Sequence, residues 1–206
     1  MHPNLAFRKP GDNANIAYAR DNGFGVLAVT TDGPPLISHI PFLLSDDGSL
    51  AEFHLVRSNP IARALASPLS ARLAVQGPYS YISPDWYEVT DQVPTWNYVA
   101  VHLTGQIELQ PPEELRDLLD RQSAYYEQKL RPKSPWTADK MTPDALDKMM
   151  RQIIACRMKV ETIDGTWKLN QNKADEVRLR AADRVESNGL GAQTINLAAL
   201  MRDLPV

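Results

Sequence analysis

An antiparallel β-sheet closed into a barrel, with helices attached at its gaps, is the fold this sequence predicts. Three observations predict it. Apolar runs of strand length crowd the first half and are separated by tight-turn signals such as Thr31-Asp32-Gly33-Pro34 and Ser45-Asp46-Asp47-Gly48. The tract from Trp96 to Leu109 alternates between two chemically different faces. The strand–helix alternation of a doubly wound fold is absent, and 16 prolines among 206 residues argue for many strand ends rather than a helical bundle.

In chain order, Asp12 is placed to cap a short helix over Asn13 to Asp21, which Gly23 ends. Phe24 to Thr30 reads as a buried strand, Leu36 to Leu44 as a second and Ser49 to Val56 as a third. Asn59-Pro60 opens a short helix to Ala66, with the amide as cap and proline at the first position. Ala71 to Gln76 is a fourth strand. Gly77 to Pro94 reads as irregular and aromatic (Tyr79, Tyr81, Trp86, Tyr87), a segment suited to core or interface packing. The fifth strand is the long one. Pro111 begins an amphipathic helix to about Lys129, with Glu113 and Glu114 near its start. Pro143 to Gln152 is another helix, Ile153 to Ile163 a sixth strand, and Asp164-Gly165 a turn. A charged helix over Ala174 to Ser187, a break at Gly189-Leu190-Gly191 and a final helix over Thr194 to Arg202 close the chain. The expected division is a barrel domain over 1–172 and a helical extension over 173–206.

Composition narrows the function classes. The chain is 43% hydrophobic, enough for one sizeable core, and its formal net charge of −3 gives no global attraction to nucleic acid or anionic membrane. With one cysteine, Cys156, an intrachain disulfide is excluded, and its apolar strand setting makes it a small buried residue. Lacking a charged-then-apolar leader and a run of membrane-span length, the chain reads as soluble and cytoplasmic. No Ser-His-Asp spacing or phosphate-loop glycine pattern appears, and no His, Cys or acidic spacing favours a metal.

On the long strand one face reads Asn97, Val99, Val101, Leu103, Ile107 and Leu109, a core stripe. The other reads Trp96, Tyr98, Ala100, His102 and Thr104, too polar for a core and too aromatic for bare solvent. Such a face suits a flat, partly polar ligand or a partner subunit. A Ser45–Gly48 hairpin loop pairs Leu44 with Ser49 and sets His39 opposite His54, on a face separate from Phe42 and Phe53. Arg57, just before the Asn59-Pro60 helix start, offers a guanidinium to an anion. Lys168, Asn170, Gln171 and Asn172 concentrate donors in a short stretch. The mixed charges of Arg178, Arg180 and Arg184 with Asp175, Glu176 and Asp183 make a solvated helix face, and no helix-turn-helix signature favours direct DNA binding.

Taken in order, His39-Ile40-Pro41-Phe42-Leu43-Leu44, Arg57-Ser58-Asn59-Pro60, Gly77-Pro78, Tyr81-Ile82-Ser83-Pro84, Trp86-Tyr87, Val93-Pro94-Thr95-Trp96-Asn97-Tyr98, Val101-His102 and Lys168-Leu169-Asn170-Gln171-Asn172 resemble the PaiB family. That family comprises FMN-binding proteins described as negative transcriptional regulators. The resemblance runs to about Asn172 and implies a mainly β, antiparallel split barrel with peripheral helices, dimerising with FMN between subunits. It implies a cofactor cleft formed by His39, Arg57, Asn59, Thr95, Trp96, Asn97, Tyr98, His102, Lys168, Gln171 and Asn172. Where the family has serine, this chain has Asn170. Catalytic residues are not indicated. The alternative to a homodimeric FMN-binding regulator is an FMN-dependent oxidoreductase related to pyridoxamine-phosphate oxidase or flavin reductase.

Overall fold

The computed structural model of the chain describes residues 2–8 and 10–205. Its strands are β1 (Phe24–Val29), β2 (Leu36–Pro41), β3 (Leu43–Leu44), β4 (Leu50–Val56), β5 (Leu69–Ile82), β6 (Thr95–Leu109), β7 (Ile153–Lys168) and β8 (Leu190–Ala192). Its helices are α1 (Asp12–Asn22), α2 (Pro60–Ala64), α3 (Glu114–Gln128), α4 (Pro143–Met150), α5 (Asp175–Asn188) and α6 (Thr194–Arg202). The strands hydrogen-bond in the order β2-β1-β5-β6-β7-β4-β3, with β8 on β5. Two compact units divide the chain: Met1–Tyr18 with Ala74–His102 and Ile163–Val206, and Ala19–Leu73 with Leu103–Thr162. Among the described residues no helix is long and apolar enough to cross a membrane.

In the unit formed by Ala19–Leu73 and Leu103–Thr162, β2 stands at one end of the strand order, yet it touches β4 near the other end, so the sheet curls back on itself. Alternate residues fill the core: Leu27 and Val29, Ala51, Phe53 and Leu55, Leu103 and Ile107, Cys156 and Met158. Burial pushes the Cys156 thiol up to about 12, as its strand setting leads one to expect of an inert core cysteine. Gly105 lies where two strands run close. A Cβ there would meet the Lys159 carbonyl oxygen at 1.9 Å, and backbone cannot swing aside.

The hairpin register differs from the sequence reading. Leu44 pairs with Ala51 and Leu43 with Glu52, not Leu44 with Ser49. Asp47 explains the longer loop. Its Oδ1 accepts from Ser45 Oγ, Ser49 N–H and Ser49 Oγ, while Gly48 takes φ 73°. Those hydrogen bonds hold the Asp47 carboxyl down to about 2. The chain then leaves β4 at Phe42, so β2 pairs with β1 and His39 stands opposite Val26. His39 and His54 are therefore not a cross-strand pair. His54 pairs with Ala155 of β7 and its side chain meets Gln122 of α3.

In the other unit, α5 and α6 cover one face of the strands through a cluster that includes Ile82, Tyr87, Val99, Trp167, Leu169, Val185, Leu197 and Met201. Each large side chain buried there contributes about 1.5–3 kcal/mol relative to exposure. Arg178, only 6% exposed, fixes the pair of helices: its Nη1 donates to the Met201 and Arg202 carbonyls at the end of α6, and its Nη2 meets Asp175. These contacts satisfy the orphan carbonyls of a helix end. At the N-terminal side, Gly11 rather than Asp12 caps α1, its carbonyl accepting from Ala14 and Asn15 N–H. Asn15 in turn accepts from Trp167 Nε1 at 2.8 Å.

Two strands are longer than the sequence predicts. β5 continues through Gly77-Pro78 to Ile82, and its burial alternation changes phase there, as a bulge does. The aromatic stretch expected to be irregular is therefore partly strand, followed by a 3-10 turn over Pro84–Tyr87. β7 runs on to Lys168, so Asp164-Gly165 is not a turn.

Two outcomes follow from this packing. Gly105→Ala should destabilise the chain by about 3 kcal/mol through overpacking, read as a drop of ~6–12 °C in thermal midpoint for a chain of this size. Burial keeps the folded-state pKa of His54 below its ordinary value, outweighing the opposing hydrogen bond with Gln122. The unfolded chain thus binds the proton first as pH falls below ~6.5. Stability is fully present above that pH and declines as pH drops through the folded-state pKa. Denaturant unfolding between pH 7.5 and 5 should show a smaller loss in His54→Gln than in the wild type; equal losses would remove His54 as the cause.

Candidate functional site

The pleat of β6 sorts its side chains. Asn97, Val99 and Val101 are completely buried, while Trp96 is 49% exposed and Tyr98, Ala100 and His102 are half-buried. The outward set spans about 20 Å from Trp96 to His102 at ~3.3 Å per residue. A hollow of about 310 Å³ opens on this face, lined by Val75, Gln76 and Tyr79 of β5 and by Trp96, Tyr98, Val99, Ala100 and His102 of β6. The phase change at Gly77-Pro78 turns Tyr79 and Tyr81 out of the core. Their rings lie 6.1 and 5.9 Å from that of Trp96, the second edge to face. Tyr81 pairs with Leu190 of β8, which is 64% exposed, so the apolar face extends beyond the hollow.

Asn97 turns the other way. Its Nδ2 donates to Met201 Sδ at 3.5 Å, and its Oδ1 has no protein donor. It supports the strand from behind and does not line the hollow. Thr95 Oγ1 accepts from Lys168 Nζ, and the same ammonium stands 5.7 Å from the centre of the Phe7 ring. Burial lowers the Lys168 pKa, because the charged form loses solvent.

The residues after Lys168 form a braced loop. Asn170 adopts φ 62°, a left-handed conformation that asparagine tolerates better than serine, and its Oδ1 accepts from Tyr87 O–H. Gln171 Oε1 accepts from Leu169 N–H at 2.8 Å, and its Nε2 donates to the Ala6 and Trp167 carbonyls. Asn172 is exposed. Thus Gln171 spends its whole amide on the Leu169, Trp167 and Ala6 backbone, and Lys168 is the cation of residues 168–172.

The remaining sequence candidates lie in the unit that holds the barrel core. His39 is exposed on β2. Arg57 Nε donates to the Arg151 carbonyl at 2.7 Å, joining the end of β4 to the end of α4. Asn59 caps α2 by accepting from Ile61 N–H, and its Nδ2 donates to Ser38 Oγ. The structure therefore gathers Trp96, Tyr98 and His102 in one hollow, pairs Thr95 with Lys168, and uses Asn59 and Gln171 as braces. Sequence reasoning missed Val75, Gln76 and Tyr79. The alternation of Tyr79 and Tyr81 was the available signal, hidden by Gly77-Pro78, which reads as a strand end.

The family model described as "Putative FMN-binding domain" matches residues 1–162. A Bacillus subtilis protein named protease synthase and sporulation protein PAI 2 is 30% identical over 188 residues, covering 90% of this chain and 89% of that protein. An uncharacterised Emericella nidulans protein is 28% identical over 193 residues, with 74% of this chain and 77% of that one covered. Among solved structures, the FAD and heme binding protein from Mycobacterium smegmatis superposes with a TM-score of 0.58 at 16% identity, covering 89% of this chain and 80% of that one. A conserved hypothetical protein from Mycobacterium tuberculosis does so with a TM-score of 0.54 at 14% identity, covering 80% and 89%. These structural likenesses establish the antiparallel split-barrel fold. The chain belongs to the PaiB-type family of FMN-binding proteins, and FMN is its cofactor.

Proposed function

We propose that the chain is a homodimeric, cytoplasmic FMN-binding regulator, with the isoalloxazine seated against the outward face of β6. The observation that carries this reading is the aromatic hollow itself. A flat three-ring system needs a wide apolar contact with a few polar groups at its edge, and Tyr79, Trp96 and Tyr98 with Gln76 and His102 supply both. The residues present fit the cofactor. Lys168, partly desolvated and held by Thr95, is the cation of the same unit suited to its phosphate. Arg57 is the second cation that the family resemblance brings forward.

Trp96 at 49%, Leu190 at 64% and Val93 at 74% exposure leave this unit with an apolar surface that one copy does not cover. A second copy closing over it would complete the site and exclude water from the flavin. The helical extension over 173–206 supports the site from behind, because α6 carries Met201 against Asn97.

The regulatory effect acts through flavin or a protein partner. Two of the three arginines of α5 are engaged within the chain: Arg178 at the end of α6, and Arg180 at the Tyr87 carbonyl and Glu88. When bound, FMN supplies one- or two-electron redox chemistry. His102 is the imidazole in the wall of the hollow, beside the phenols of Tyr79 and Tyr98, and is the group suited to proton transfer if electrons flow.

Titration with FMN followed by absorbance and tryptophan fluorescence tests the seat. Wild-type protein should bind FMN at micromolar or lower concentration and elute as a dimer, and Trp96→Ala should bind all flavins more weakly. Lys168→Met should weaken FMN by about 10- to 100-fold, as expected for loss of a charge-assisted hydrogen bond worth ~1.5–3 kcal/mol, with little change for riboflavin. Equal losses for both ligands would remove the phosphate role. Reduction of bound flavin by excess NADH would favour the oxidoreductase reading, and a salt-dependent shift of promoter DNA at nanomolar protein would favour direct DNA binding.

A further inference from the structure

Gln76 stands apart from its neighbours in the wall of the β6 hollow. It is exposed, it lines the hollow from β5, and its carboxamide makes no hydrogen bond among the described residues. Val75 and Val99 beside it are fully buried and offer only apolar surface. Tyr79 and Tyr98 bring a single hydroxyl each, His102 an imidazole, and Trp96 an indole that can only donate. Among the lining residues the Gln76 amide is the planar group that carries an acceptor and a donor side by side.

The strand fixes where that amide stands. Val75 and Gly77 are buried on either side of it, so the pleat turns the Gln76 side chain outward. Tyr79, whose ring meets that of Trp96, follows three residues later, about 10 Å along the strand at ~3.3 Å per residue. Trp96 in turn follows directly on Thr95, which holds the Lys168 ammonium. Aromatic surface therefore lies between a neutral two-point amide at one end and a cation at the other.

Resting on the flavin seat proposed above, we infer that Gln76 reads the imide edge of the isoalloxazine. Its Nε2 donates to a ring carbonyl, and its Oε1 accepts from the N3–H beside that carbonyl. The rings admitted with full affinity are those with an unsubstituted lactam or imide N–H next to a carbonyl. The aromatic wall supplies most of the contact area. The amide selects which ring enters and which edge leads, because an analogue without the N–H leaves Oε1 unpaired in an apolar wall.

Riboflavin and 3-methylriboflavin, in which a methyl group replaces the N3 proton, are titrated into the full-length chain and followed by flavin fluorescence. Neither carries a phosphate, so Lys168 does not enter the comparison. The wild type should prefer riboflavin by about tenfold. Gln76→Leu, at an exposed position that tolerates an apolar side chain, should lose that preference. Trp96→Ala should weaken both ligands and keep their ratio. Equal affinities in the wild type, or an unchanged preference in Gln76→Leu, would overturn the pairing while a weakened Trp96→Ala left the seat standing. No effect of Trp96→Ala on either ligand would overturn the seat, and the pairing with it.

Discussion

The alternation of side chains along β6 is the constraint on which the site depends. A strand shows its two faces to two environments, so one 15-residue element both anchors the core and presents the aromatic face proposed as the flavin seat. Val99, Val101 and Leu103 are fully buried, and they hold the backbone at a height that leaves Trp96, Tyr98 and His102 outward. A one-residue slip would reverse both faces at once and bury the aromatics in a core already filled. Asn97 shows the tension in this arrangement. It occupies a fully buried position with one weak sulfur contact and an unpartnered carbonyl, a local cost that surrounding apolar burial must offset.

That burial comes from sequence far downstream. Ala181, Ala182, Val185, Leu197, Ala198 and Met201 close the face behind β6, and Arg178 pins α6 by its last carbonyls. The family match ends at residue 162, yet most of the buried residues clustered with Val99 lie beyond it, Ile82 and Tyr87 being within it. The same downstream segment fixes Lys168. Trp167 is gripped by Asn15 on one side and meets the Tyr18 ring edge to face at 5.0 Å on the other. Gln171 folds back onto the Trp167 carbonyl, and Asn170 turns the backbone left-handed. The lysine is therefore set between two immobilised neighbours, which lowers the entropy cost of the phosphate contact proposed for it.

Much of this could be read from the sequence where a signal is local. The β6 pleat needs only the order of residues, the Asn59-Pro60 cap needs only its own turn, and α6 begins and ends at the residues its pattern marks. The failures occurred where a local signal was overridden by distant packing. Gly77-Pro78 looks like a strand terminus because proline lacks a donor, but β5 absorbs it by shifting phase. Asp164-Gly165 has turn composition, but Asn15 crowds the glycine so closely that a Cβ would lie 1.9 Å from its Oδ1. The glycine serves a close approach there, inside a strand. The His39–His54 pairing depended on loop length, and three hydrogen bonds to Asp47 set a loop longer than the count assumed.

The two cationic candidates illustrate why position outweighs residue type. Arg57 is the stronger phosphate ligand in the abstract, since a guanidinium offers a planar fork. Its Nε, however, already ties β4 to Arg151, and the α2 helix it precedes spends its opening N–H on Asn59. Lys168 has a single point charge, but burial has removed part of its water and Thr95 offers only a neutral oxygen in return. An ammonium desolvated in this way, with no carboxylate partner among the described residues, is electrostatically underserved, and a dianionic phosphate would correct that deficit more fully than a hydroxyl does. The incomplete neutralisation of Lys168 is thus itself an argument for an anionic ligand at that end of the site.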